Sequence, residues 1–188
     1  MHNSLGLQAL CGLIRESDPC DILELGPVRS RSVEFWARLN PSIFVADLRS
    51  SLPLPVLRSE EDEVLEPDWG GILRIPQERT FDVILAWDLL NYMAIADISS
   101  LVRYLEDFCR SGTLLFYLIF DRKEMPADIA IYSVIDPSHL AYEHSGTETK
   151  ECPRHQPRAL LSVMSNFNTV ESFRLRNGVV EYVHIYER

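Results

Sequence analysis

The sequence predicts an α/β protein, a three-layer sandwich around a mostly parallel seven-stranded sheet that closes on an antiparallel hairpin strand. Three observations carry this. Short apolar runs alternate with helical periodicity through the first half of the chain, and strands joined by helices pair in parallel. Thr113–Phe120 (TLLFYLIF) is apolar on both faces, as a strand in the middle of such a sheet must be. Asn177-Gly178 joins two β-rich runs, Val170–Arg176 and Val179–Tyr186, which is the strongest local hairpin signal.

Each element has its own signature. Leu7, Leu10, Cys11 and Ile14 recur at helical spacing within residues 4–17, with Ser4 placed as N-cap and Pro19 as the stop. Asp21–Gly26 (DILELG) is a buried strand that runs into a tight turn. Val33, Trp36 and Ala37 mark a helix over 30–39, capped by Ser30 or Ser32 and barred from continuing by Pro41. Ser42–Asp47 (SIFVAD) is a second strand, ending in an acid. Residues 49–71, with three prolines and an acidic cluster at Glu60–Glu63, read as loops around at most one short helix. Ile72–Ile75 is predicted as a weak third strand and Phe81–Trp87 (FDVILAW) as a strong fourth. A helix over 94–109 places Ile95, Ile98, Leu101, Val102 and Leu105 on one side, and Gly112 ends it.

Beyond the fifth strand, residues 121–157 are long and mixed, and Ile129–Ile135 and Leu140–Tyr142 are predicted to pair within them. A connection of this length inside a compact domain is more often functional than idle, so it reads as a substrate-side insertion. Residues 158–167 read as a helix before the closing hairpin. Residues 1–188 are read as one domain, a size that can bury a full core.

Composition narrows the function classes. Eighteen basic against 28 acidic residues give a net charge of −10, which repels phosphate backbones and argues against an extended nucleic-acid surface. Four cysteines without a Cys-x-x-Cys pair suggest reduced thiols and a cytoplasmic protein. The longest apolar run, Leu114–Phe120, falls far short of the ~18 residues that a membrane helix needs, so no membrane partner is expected. His139, His144, Cys152 and His155 share one loop but fit no zinc spacing, and no metal is expected. The loop after the first strand has Val28 and Arg31 where a nicotinamide-binding Gly-x-Gly-x-x-Gly needs glycine, and no Gly-x-Ser-x-Gly hydrolase elbow occurs.

The residues Leu23-Glu-Leu-Gly26, Val45-Ala-Asp47, the run Phe81–Tyr92 and the closing run Ser172–Tyr182 occur in one order over nearly the whole chain. In that order they resemble the class I S-adenosylmethionine-dependent methyltransferase family, whose Rossmann-like sheet inserts its last strand antiparallel beside the fifth. The resemblance implies S-adenosyl-L-methionine as cofactor and a small-molecule or protein methyl acceptor as partner, and it leaves a homodimer open. The cofactor site it implies comprises Glu24, Gly26, Pro27, Ser30, Asp47, Leu48 and Trp87. Elementary reasoning agrees in part. Ligands of open parallel sheets bind beyond the carboxyl ends of strands, where strand order reverses. Gly26 and Asp47 fall at two such ends. A glycine lets backbone approach a ligand, and a carboxylate there can accept both ribose hydroxyls.

The glycine loop departs from the family's three-glycine pattern, since Gly26-Pro27-Val28-Arg29-Ser30 keeps only the first. Val28 brings a Cβ to the path of the methionine portion, and Pro27 stiffens the turn. This departure motivates an alternative, a catalytically inactive methyltransferase-like binding or regulatory protein. Methyl transfer is an in-line displacement that needs alignment and exclusion of water more than acid–base help. Asp88 and Tyr92, after the fourth strand, are the candidate catalytic residues. The plainer reading makes Asp88 a cap or loop partner and Tyr92 a packing residue. Asn91, Tyr117, Tyr132 and His139 are the candidate acceptor-binding residues.

Overall fold

The computed structural model describes residues 2–14, 19–39, 41–56, 65–164 and 166–188. In chain order the elements are β1 (His2–Asn3), α1 (Leu5–Leu13), β2 (Cys20–Glu24), α2 (Ser30–Trp36), β3 (Pro41–Val45), α3 (Trp69–Leu73), β4 (Phe81–Trp87), α4 (Ile95–Glu106) and β5 (Cys109–Phe120). There follow β6 (Glu124–Pro126), β7 (Ile131–Asp136), β8 (His139–Glu143), β9 (Thr149–Glu151), α5 (Pro157–Val163), β10 (Phe167–Arg174) and β11 (Val179–Tyr186). The main sheet has the order β10-β11-β5-β4-β2-β3. β3, β2, β4 and β5 run parallel, β11 lies antiparallel beside β5, and β10 closes the hairpin.

The sheet has six strands among the described residues, not seven. The segment expected as the third strand, Ile72–Ile75, begins inside α3. The reason is local: the Asp68 side chain accepts from Gly71 N–H at 3.0 Å and caps a helical turn before the apolar residues arrive. Arg74 then ends the helix in the left-handed region, at φ 51°. Ile72 and Leu73 still reach the core, but from a helix. The acidic cluster Glu60–Glu63 lies outside the described residues.

Each face of the sheet carries its own core. On one face Ile84, Leu115 and Ile119 pack with Trp69 and Leu73 of α3, Leu101 and Leu105 of α4, and Leu160 of α5. On the other Val83, Phe116 and Val183 pack with Leu7 and Leu10 of α1, Trp36 of α2, and Val134 and Leu140 of β7 and β8. α1 is capped as predicted, with Ser4 Oγ accepting from Leu7 N–H at 3.0 Å. It lies so close to the sheet that a Cβ at Gly6 would sit 2.8 Å from Glu181 Cβ and 2.9 Å from the Phe116 ring, so only glycine fits there.

The segment 121–157 holds the predicted hairpin, with Tyr132 opposite Tyr142 and Val134 opposite Leu140. β1 adds to the edge of β8, and β6 pairs separately with β9. The closing hairpin forms as predicted, but its turn differs. Gly178 alone takes positive φ, at 76°, and Leu175 N–H reaches Val179 O at 2.8 Å across a three-residue loop. Among the described residues no helix is long and apolar enough to cross a membrane.

One side chain ties β4 to β5 beyond their ladder. Asn91, in the 3-10 turn Leu89–Tyr92, donates to Leu118 O at 2.8 Å and accepts from Phe120 N–H at 2.7 Å, wholly buried. Asn91→Ala leaves that N–H and carbonyl unpaired in the core. Urea unfolding is expected to register a loss of about 2–4 kcal/mol; a loss under about 1 kcal/mol means that the turn reforms these bonds elsewhere.

Candidate active site at the reversal of strand order

From β2 the chain passes through α2 to β3 on one side, then returns to β4 on the other side of β2. The crevice beyond the carboxyl ends of β2 and β4 is therefore the place where connections diverge and a parallel sheet accepts ligands. Backbone bonds lay the two candidate segments side by side. Ala46 N–H donates to Glu24 O and Leu48 N–H to Leu25 O, each at 2.8 Å. The turn at Gly26 and the end of β3 at Asp47 thus lie side by side at the reversal point.

Glu24, at the end of β2, is 3% exposed. Its Oε1 accepts from Gly26 N–H at 3.0 Å and from the indole N–H of Trp87. Burial pushes this carboxyl up from 4.5 to about 8; the two donors pull it down, and the neighbouring Asp47 carboxylate pushes it up. Asp47 itself is exposed, and its carboxylate has no hydrogen-bond partner among the described residues.

Trp87 holds an unusual conformation, with φ at 46°, where the ladder between β4 and β5 slips. Its indole lies against the glycine turn: a Cβ at Gly26 would meet Trp87 Cδ1 at 3.1 Å and Glu24 Oε1 at 3.3 Å. One face of the indole stacks on Tyr132, with centroids 5.1 Å apart and planes 4° from parallel. The Phe116 ring meets it at 88° and 5.7 Å. The Trp87 indole of β4 therefore lies directly against Gly26, with Tyr132 of β7 stacked on it.

The insertion also sits across the start of α2. Ser30 is the exposed first residue of that helix, with Pro27 half-buried in the turn before it. The predicted serine cap does not form: Arg29 is the N-cap without a side-chain bond, and Ser32 Oγ accepts from Val134 N–H of β7 at 3.0 Å. Arg29 pairs with Glu143 of β8 at 3.4 Å.

The remaining sequence-predicted residues are distributed unevenly. Asp88 follows Trp87 and is fully buried. Its Oδ2 faces Ala130 N–H at 3.4 Å, and its Oδ1 has no partner among the described residues. Burial pushes Asp88 up from 3.8 to about 7, against the backbone N–H of Ala130. The Tyr92 hydroxyl lies 3.1 Å from Pro126 O and 3.0 Å from Asp128 O, and burial raises it well above the usual phenol range. Tyr92 also borders a cleft of about 310 Å³ between Arg49, Pro53, Asp128 and Lys150.

Leu48 is a core residue that touches the crevice only through its backbone. Asn91 is committed to the β5 backbone. Tyr117 is the clearest displacement from the expected site. It is buried on the opposite face of the sheet, 3.0 Å from His184 Nε2 and stacked on Tyr182. His139 closes the β7–β8 turn, with its Nδ1 2.9 Å from the Asp136 carboxylate.

No family model and no curated protein matches the chain. Solved structures do. One is the Burkholderia thailandensis 1,6-didemethyltoxoflavin-N1-methyltransferase with bound 1,6-didemethyltoxoflavin and S-adenosylhomocysteine; it is 13% identical, covers 98% of this chain and 78% of its own, and has a TM-score of 0.53. A second is an S-adenosylmethionine-dependent methyltransferase from Mesorhizobium loti, at 13% identity, 94% and 95% coverage and a TM-score of 0.55. A third is an S-adenosylmethionine-dependent methyltransferase from Clostridium acetobutylicum, at 11% identity, 97% and 91% coverage and a TM-score of 0.52. Identities this low speak for architecture. The chain has the class I S-adenosylmethionine-dependent methyltransferase fold.

The raised carboxyl of Glu24 has a consequence for stability. An acid whose folded pKa lies above its unfolded value favours the folded state at low pH and loses that contribution as pH rises. For Glu24 the window runs from 4.5 to about 8, and for Asp88 from 3.8 to about 7. Denaturant midpoints of the wild type are expected to fall across this window. Glu24→Gln keeps an oxygen acceptor for both donors, and its midpoint is expected to fall less, with the residual slope due to Asp88. Identical slopes for variant and wild type would mean that Glu24 is ionised throughout.

Proposed function

We propose that this protein is an S-adenosylmethionine-dependent methyltransferase, with its cofactor crevice at the reversal point between β2 and β4. The observation that carries the reading is the juxtaposition of Glu24, Gly26 and Asp47 at that point, on a fold shared with enzymes solved with S-adenosylhomocysteine or described as methyltransferases. The residues fit the cofactor unevenly. At the ribose end the Asp47 carboxylate is exposed and unpaired among the described residues, as an acceptor for two hydroxyls must be. At the methionine end the Trp87 indole occupies the space above Gly26, so the cofactor fits there only if Trp87 turns away.

When bound, the cofactor supplies an activated methyl group, and the chain's work is to align an acceptor with it and to keep water out. The buried ring of Tyr132 serves exclusion. Asp88 is poised to take a proton near neutrality, since burial holds its carboxyl at about 7. Tyr92 keeps its proton at working pH and positions the insertion through Pro126 and Asp128. The acceptor is a small molecule or a protein segment that enters on the insertion side.

A second reading has one specific observation in its favour. With Trp87 bonded to Glu24 and stacked on Tyr132, the crevice is closed from within, as in a methyltransferase-fold protein that binds or regulates without turnover. Calorimetry with S-adenosylhomocysteine separates the two. The methyltransferase reading expects binding by the wild type, about tenfold weaker or worse in Asp47→Ala. Binding by Trp87→Ala alone, with a silent wild type, favours the closed regulatory form. Absence of binding in both overturns the cofactor site.

A further inference from the structure

A second aromatic cavity lies on the other side of Tyr132. It encloses about 200 Å³ where the carboxyl end of β5 and the start of β11 meet the insertion. Rings form its walls. Tyr142 stands at the centre of them, with His2 at 5.4 Å, His144 at 5.5 Å and Tyr132 at 5.9 Å between centroids. Leu118, Phe120 and Val179 supply an apolar floor. Such a volume lies at the small end of ligand sites and holds one or two fused rings.

Two polar atoms of the lining have no partner among the described residues. His2 Nδ1 and Arg122 Nε are both buried and unbonded, and both residues line the space. Behind His2 lies Glu181, 0% exposed, whose Oε2 accepts from Gly6 N–H at 2.6 Å while its Oε1 is unpaired. That Oε1 is 3.8 Å from His2 Nε2. In the neutral ring a carboxylate on that side favours the tautomer with the proton on Nε2, which leaves Nδ1 as an acceptor. Arg122, its guanidinium 4.5 Å from the Phe120 ring, is a donor in every state. Each unpaired buried group costs about 1–3 kcal/mol, and two lining one cavity call for something to satisfy them.

We propose that this cavity binds a small planar heteroaromatic molecule of one or two rings that carries both an N–H donor and an acceptor atom. The ring would lie among Tyr132, Tyr142 and His2, donate to His2 Nδ1 and accept from Arg122. A permanent organic cation suits the rings but not Arg122, and an apolar ring leaves both polar atoms unmet. Tyr132 contributes to this wall while stacked on Trp87, so one aromatic pair separates the cavity from the turn at Gly26. Taking the bound heterocycle as the methyl acceptor rests on the function proposed above; binding as such does not.

The test uses the full chain without cofactor and titrates hypoxanthine and lumazine, with tetramethylammonium as the cationic control, by calorimetry and ligand-observed NMR. At least one heterocycle is expected to bind below millimolar. Tyr142→Ala, at a residue 44% exposed, and Arg122→Met are each expected to weaken it by about tenfold, with unchanged circular dichroism. Failure of both heterocycles, wild-type affinity in both variants, or preference for tetramethylammonium overturns the proposal. S-adenosylhomocysteine is titrated in parallel. Its binding without heterocycle binding sinks this inference alone, and heterocycle binding without it sinks the methyltransferase reading alone.

Discussion

Glu24 is a carboxyl that water does not reach, and its two donors arrive from different parts of the chain: the backbone of Gly26 and the indole of Trp87. Such a group is costly to bury unless it is bonded, and it favours its neutral form. Those bonds fix where Trp87 lies, and Trp87 in turn accepts the flat face of Tyr132. The insertion sheet is then held against α2 by Val134 on Ser32 and by Arg29 on Glu143. A chain of contacts thus runs from one buried acid to the position of an entire sheet. It also sets the state of the crevice, because moving Trp87 off Gly26 strips Glu24 of a hydrogen bond.

Asp88, the next residue along, repeats the theme. It too is buried, short of a partner and raised toward neutrality, and it receives a backbone N–H from the insertion at Ala130. Two neutralisable carboxyls at the ends of adjacent strands, in a chain of net charge −10, mark the region where burial works against charge. Glu181 makes a third buried acid on the far side of Tyr132, answered by Gly6 at the first turn of α1. Each of these three acids accepts from a backbone N–H, those of Gly26, Ala130 and Gly6.

Much of the fold was legible in local pattern. Phe81–Trp87 is a strand over the very residues whose apolar run predicts it, and the Asn-Gly hairpin pairs its flanking runs. The third strand failed because Asp68 caps a helix two glycines before Ile72, and a cap outranks a short β-prone run. Tyr117 failed as a site residue for a different reason. It is near the insertion in sequence, but side chains alternate along β5. Leu118 and Phe120 face the insertion while Tyr117 faces α4 and α5. The signal for Glu181 was present, an acid among inward-facing valines of a closing strand, yet nothing in the sequence says what answers it.

By itself the sequence determined the kinds and order of most elements and put Gly26 and Asp47 at the ends of neighbouring strands. Periodicity, caps and turn residues act over a few positions, and that is their range. Only the tertiary structure decided that Trp87 lies against Gly26 with Tyr132 stacked on it. It alone brought His2 and Arg122 to one cavity with Glu181 behind His2, and bonded Gly6 to Glu181 across 175 residues. Such meetings depend on strand order, on which face a side chain takes and on where the insertion folds back, and these are settled by packing the whole chain rather than by any stretch of it.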